Sequence, residues 1–175
     1  AIRRKYPEIR ITGVSSRNAV KTALDMGVIT EGLGYEELGE AVRGADIVFL
    51  CTPIHRIQGL LTLLGPLIEP GVLVTDVGST KRAITRHAAL VLPRGVHFIG
   101  GHPMAGSENR GVTASDPFLF QNAIYVLCPQ EGTPSGTIDS FSSLLSEIGA
   151  HVTVMDAETH DRVAAAVSHL PQIIA

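Results

Sequence analysis

The sequence predicts an α/β fold with a doubly wound, mainly parallel sheet, and three observations carry that prediction. Short β-branched runs alternate with longer segments of helical spacing, as expected of successive βαβ units. Two of the runs, Ile47-Val48-Phe49-Leu50 and Val72-Leu73-Val74, are apolar without a break, as in central strands covered on both faces. Gly27 and Gly149 stand where two of the helical segments would need a residue at positive φ to end them.

Taken in order, strands are expected over 9–14, 46–51, 71–77, 96–99, 123–127 and 151–155. Helices are expected over 18–26, 35–43, 55–67, 81–92 and 137–148. Beyond 157, Val163, Val167 and Leu170 recur at i, i+4 and i+7, so one more helix begins there. Gly32-Leu33-Gly34 follows a polar segment and precedes Tyr35-Glu36-Glu37, and it reads as a turn. No repeat and no low-complexity segment interrupts the pattern.

The order of elements is that of a Rossmann-type dinucleotide-binding domain over 1–156, with the beginning of a helical domain over 157–175. Such a domain normally opens with a strand, a Gly-x-Gly-x-x-Gly turn and a helix whose N-terminus holds the pyrophosphate. That fingerprint is not in this sequence, and Ala1 to Tyr6 instead resembles the last turn of the first helix, leading through Pro7 into what would be the second strand. The expectation is therefore a Rossmann-type sheet whose first βα unit is missing.

Composition narrows the function classes. With 175 residues, 45% hydrophobic and 18% charged, the chain is long enough to bury one ordinary core. A net charge of -3, from 14 basic and 17 acidic residues scattered along the chain, offers no basic stripe for nucleic acid and no polybasic patch for a membrane. No apolar run approaches the roughly 20 residues of a membrane span, and the N-terminus lacks the apolar stretch of a signal peptide. A cytoplasmic protein is expected, with Cys51 and Cys128 as buried, reduced thiols at strand ends.

The candidate chemistry lies where strands end, because the carboxyl edge of an open α/β sheet binds the ligand. After the run 9–14 come Ser15-Ser16-Arg17, where an NAD-specific domain would carry an acidic residue for the ribose 2′-OH. Small hydroxyls and a guanidinium suit a 2′-phosphate instead, which favours NADP over NAD, although Ser16 can equally cap the helix that follows. After 46–51, Thr52 and Pro53 take the chain off the sheet, either as a wall of the cofactor cleft or as an ordinary strand terminus. Asp76 interrupts an apolar strand and needs partners there, so a structural role is expected for it. Gly78 permits close backbone approach to a cofactor, and Ser79 stands where it can cap the next helix or face a ligand. No metal-ligand spacing is present.

The most specific segment is Gly100-Gly101-His102-Pro103-Met104-Ala105-Gly106-Ser107-Glu108. It places an imidazole just beyond a strand end, among small residues that let a substrate approach, where it can accept a proton near neutral pH. Asp76-Val77-Gly78-Ser79-Thr80-Lys81, then Gly101 to Glu108, then His160-Asp161-Arg162 leading to Ser168-His169-Leu170-Pro171-Gln172, resemble in order and spacing the motifs of the prephenate and arogenate dehydrogenase family.

That resemblance implies NAD(P)-dependent oxidative decarboxylation of a cyclohexadienol, prephenate or arogenate, in tyrosine biosynthesis. His102 would be the base for the ring hydroxyl, with Ser79 beside it. Glu108 would sit at the pocket mouth, where surface solvation is the competing account, and Ser168, His169 and Gln172 would reach the substrate from the last helix. On a straight helix His169 and Gln172 share a face, whereas His160, nine residues before His169, joins them only where Pro171 or a local irregularity bends the helix, and it ranks lower. Gln172 departs from the family, many members of which carry a histidine there; it hydrogen-bonds but cannot take a charge. The family's helical C-terminal domain makes a homodimer, so the segment 157–175 would open that domain, and the 175 residues alone are expected to be inactive. Two other readings compete: a β-hydroxyacid-type dehydrogenase, whose usual lysine nothing in 157–175 supplies, and a non-catalytic nucleotide-binding module.

Overall fold

The computed structural model describes residues 1–106 and 111–169, the side chains of 168 and 169 excepted. After a single helical turn, α1 (Ile2–Lys5), strand β1 (Thr12–Val14) leads into α2 (Arg17–Asp25) and then β2 (Glu31–Leu33). The chain continues through α3 (Leu38–Ala41), β3 (Ile47–Leu50), α4 (Ile54–Leu64), β4 (Leu73–Asp76), α5 (Arg82–Val91) and β5 (His97–Pro103). It ends with β6 (Ile124–Pro129), α6 (Ser135–Glu147), β7 (His151–Val154) and α7 (Ala157–Ala164), which passes into a π-helical turn over Ala165–His169.

The strands form two sheets. β1 and β2 pair in parallel, and β3-β4-β5-β6-β7 form the larger sheet, parallel throughout except between β5 and β6. Alternation along the strands divides the core between two faces, as a pleated strand requires. Val74 and Phe98 face α4 and α5, packing with Ile57, Leu61, Ile84 and Ala88. Leu73 and Ile99 face the other way, packing with Tyr125, Leu127, Phe141 and Leu145.

Helix ends follow the local chemistry of the sequence. Gly27 and Gly149 take positive φ, 67° and 104°. In both places the amides of the glycine and the next residue close back onto the helix, Gly27 and Val28 onto Leu24 and Ala23, Gly149 and Ala150 onto Ser146 and Leu145. These are paired C-terminal closures that satisfy otherwise orphaned carbonyls. At the other end of a helix, Asp156 accepts from the amides of Glu158 and Thr159 and caps α7.

Two expectations change. Gly32-Leu33-Gly34 is not simply a turn, because Glu31–Leu33 pairs with β1, and a Cβ on Gly32 would lie 2.1 Å from Val20 of α2. The glycine lets the helix press onto the strand. Cys51 is exposed, not buried, because it borders a cleft between the two sheets; Cys128 is a buried thiol, pushed up to about 12 by desolvation.

Candidate active site

Asp76 ends β4 with its carboxylate fully buried, which is costly without partners. The structure surrounds it with donors. Lys81, also fully buried, places its ammonium on Oδ2, which further accepts from the Gly78 amide at 2.8 Å, and Oδ1 accepts from the Gly101 amide at 3.3 Å. The same ammonium donates to the Gly101 carbonyl at 2.7 Å. Burial pushes the Asp76 carboxyl above its ordinary range and the Lys81 ammonium below its own, in each case against their mutual attraction.

The glycines around this pair have a defined purpose. A Cβ on Gly101 would come within 2.5 Å of the Asp76 carbonyl oxygen, and one on Gly78 within 2.9 Å of the Asp76 carboxylate. Gly78 makes room for the carboxylate, and Gly101 lets β5 close onto the main chain of β4 beside it. The sequence reading gave that room to substrate and cofactor instead.

His102 follows Gly101 inside β5, paired across the sheet with Val126 of β6. The strand therefore runs through the imidazole, and the residue does not lie in a loop beyond it as expected. Its ring is 8% exposed and meets His160 edge-on, with centroids 5.0 Å apart and Nδ1 2.8 Å from His160 Nε2. His160, 2% exposed, places Nδ1 2.8 Å from Asp161 Oδ1.

The chain to Asp161 sets a direction for these hydrogen bonds. A carboxylate only accepts, so His160 donates from Nδ1 to Asp161 and in its neutral form keeps an acceptor at Nε2. His102 then donates from Nδ1 to His160, and in its neutral form carries its ring proton there. A proton taken up at Nε2 creates an imidazolium whose charge is balanced through His160 by Asp161.

Asp161 is held in turn by α5. Its Oδ1 accepts from the Lys81 amide at 2.7 Å and its Oδ2 from the Arg82 amide at 3.0 Å, so a side chain on α7 caps the helix that begins at Arg82. Partial desolvation works to raise the Asp161 carboxyl, but the two amides and His160 outweigh it and hold the carboxyl below its ordinary range. Ser79 consequently caps nothing: it is an exposed residue of the bend between Asp76 and Lys81.

His160, ranked below His169 and Gln172 from the sequence, is brought against His102. α7 packs on α5 and β6, which turns His160 toward β5, and a π-helical turn follows at Ala165–His169. Ser168 and His169 lie in that turn with side chains outside the described residues, and Glu108 and Gln172 lie outside them altogether.

Of the other candidate residues, Thr52 lines the cleft between the sheets, which has a volume of about 720 Å³ and is lined also by Gly13, Val14, Ile47, Phe49 and Cys51, among others. Ser15 follows β1, Ser16 occupies the position before α2 without making a side-chain cap bond, and Arg17 begins the helix with its side chain exposed. Thr52 has a buried hydroxyl with no hydrogen-bond partner among the described residues, and Pro53 precedes α4. An orphaned hydroxyl at the rim of the cleft and a serine not used by its own helix fit a polar cofactor laid along the strand ends.

The family model for the prephenate dehydrogenase nucleotide-binding domain matches residues 1–154. Prephenate dehydrogenase of Bacillus subtilis strain 168 is 39% identical, aligned over all of this chain and 47% of its own length. Among solved structures, prephenate dehydrogenase of Aquifex aeolicus in complex with hydroxyphenyl propionate and NAD+ superposes with a TM-score of 0.90 at 28% identity, covering 99% of this chain and 60% of that one. Synechocystis arogenate dehydrogenase superposes with a TM-score of 0.88 at 34% identity, covering 97% and 59%. The chain spans about half the length of the curated relatives it matches.

Proposed function

The chain belongs to the prephenate dehydrogenase family, whose nucleotide-binding domain it matches, and from that premise we propose that the protein carries out the oxidative decarboxylation of prephenate or arogenate in tyrosine biosynthesis. The observation that carries this reading is the buried chain His102–His160–Asp161 at the carboxyl edge of the sheet. In that chain a neutral His102 donates from Nδ1 to His160, and Nε2 is the ring nitrogen that would receive a proton.

Bound in the cleft, a nicotinamide supplies the hydride acceptor. His102 takes the proton of the ring hydroxyl at Nε2 as the carbon bearing it loses hydride, and Asp161 balances the imidazolium through His160. The ring carboxylate leaves as carbon dioxide, its bonding electrons aromatise the ring, and the proton returns to the phenolic oxygen. Ser79 is proposed as a second hydrogen-bonding partner of the hydroxyl, from the exposed turn that follows β4. Glu108, Ser168, His169 and Gln172 are proposed, on the family resemblance, as substrate contacts.

The preferred cofactor is NADP. No carboxylate follows β1; Ser15 and Ser16 leave room for a 2′-phosphate, and Arg17 supplies an exposed guanidinium at the start of α2. Thr52, Pro53 and Gly78 complete the proposed cofactor contacts. Residues 157–175 are read as the opening of a helical domain that makes a cytoplasmic homodimer, a reading supported by the exposed Val163 and Val167 four residues apart.

His102→Asn in the full-length protein tests the reading. Turnover, followed by the absorbance of reduced nicotinamide with each substrate, should be abolished while cofactor binding is kept. A wild-type protein that oxidises neither substrate, or a variant that turns over normally, contradicts it.

A further inference from the structure

The Asp76–Lys81 pair takes no part in the proton transfer just described, although two fully buried charges are an expensive thing to keep. Apolar side chains of similar volume often serve a core as well or better, so stability alone gives no account of the pair. Its contacts do. Every polar group of Gly101 is bound by it: the amide by Asp76, the carbonyl by Lys81. The Gly101 carbonyl lies in the peptide plane shared with the His102 nitrogen, so fixing that oxygen fixes the plane from which the imidazole is hung.

Lys81 has a second hold. Its backbone amide donates to Asp161 Oδ1, the oxygen that also meets His160 Nδ1. Ammonium and amide of one residue thus reach His102 from opposite ends, through the main chain at Gly101 and through the side chains of Asp161 and His160. Resting on the reading of His102 as the base, we propose that Lys81 is a positioning residue which sets the backbone and the ring of His102 together, with Asp76 as the counter-charge that allows an ammonium to be used there.

The glycines point the same way. Gly100 would place a Cβ 3.1 Å from the Lys81 Cδ, so β5 leaves room there for the aliphatic stem of this lysine, while a Cβ on Gly101 would press on the Asp76 carbonyl oxygen at 2.5 Å, where the strand approaches the residue that carries the counter-charge. An ordinary strand ladder holds His102 to Val126 but does not set the tilt of one peptide plane against a turn on the neighbouring strand.

The test uses the full-length protein carrying Lys81→Met together with Asp76→Asn, which removes both buried charges and the donor to Gly101 but keeps the Lys81 amide. The proposal expects kcat to fall by about 10²-fold, the loss typical of a misplacement near 1 Å, with KM and cofactor affinity held within about twofold. It also expects the ring nitrogen signals of His102 and His160 in a histidine-labelled NMR spectrum to move. If that variant does not fold, Lys81→Gln with Asp76→Asn, which keeps an uncharged donor for the Gly101 carbonyl, takes its place, with the same signature at roughly tenfold. A folded variant of either kind with unchanged kcat and unchanged ring signals overturns the proposal. Should the wild-type protein oxidise neither substrate, the functional reading fails by itself, and the ring signals still decide whether Lys81 positions His102.

Discussion

The base side and the cofactor side of this domain lie at the same edge of the sheet but differ in how much of their polar chemistry is already paired. Around His102, five side chains and four backbone amides form one connected, largely buried network: Asp76, Lys81, His102, His160 and Asp161, with the amides of Gly78, Lys81, Arg82 and Gly101. Across the sheet, the cleft between β1 and β3 is wide and mostly apolar, Ser16 makes no cap bond, and the Thr52 hydroxyl has no partner among the described residues. The contrast has a physical meaning. A base must be oriented before substrate arrives, because misplacement costs rate, whereas a cofactor brings its own hydrogen-bonding groups to the residues that receive it.

Substitutions on the two sides should therefore fail differently. The largest effect is expected from His102→Asn, which should lower kcat by about 10³-fold with cofactor affinity intact, as measured by steady-state kinetics and a binding titration. Next is Lys81→Met alone, which strands the Asp76 carboxylate and should cost ~3–5 kcal/mol in denaturant unfolding; the double variant with Asp76→Asn should recover most of that loss. Asp161→Asn should give a smaller effect that depends on pH. The folded-state carboxyl is held below its ordinary range, so its contribution is present above about pH 4 and lost as pH falls through the folded value. Wild-type melting temperature should decline below about pH 4, and the variant should decline less steeply. Smallest is Arg17→Ala, expected to weaken NADP binding roughly tenfold, or ~1.4 kcal/mol, with NAD binding nearly unchanged. An equal loss for both cofactors would remove the proposed distinction at the 2′-position.

Much of the fold was legible because hydrophobic period and helix-end glycines are local signals. β3 and β4 announce themselves as unbroken apolar runs, and Gly27 and Gly149 mark two helix ends to the residue. β2 was not legible, since Glu31-Gly32-Leu33 has little strand propensity and exists through its pairing with β1. The extension of β5 through His102 escaped for a similar reason: Gly-Gly-His-Pro has the composition of a loop, and only the antiparallel partner β6 makes it a strand.

The site was half legible. His102 stood out by its neighbours in sequence, but His160 lies 58 residues away, and its approach depends on how α7 packs against α5 and β6. One signal was available. Asp76 in an apolar strand demanded a partner, and Lys81 five residues later was the nearest cation beyond the turn. The adjacent His160-Asp161 likewise offered a ready donor and acceptor pair.

The account turns on which nitrogen of His102 holds the lone pair. A long-range proton–nitrogen correlation spectrum of the histidine rings, recorded at neutral pH, reads this directly. Protonated Nδ1 and unprotonated Nε2 on both His102 and His160 is the predicted result. A proton on His102 Nε2 in the resting protein would contradict it, because the nitrogen proposed to receive the substrate proton would already carry one.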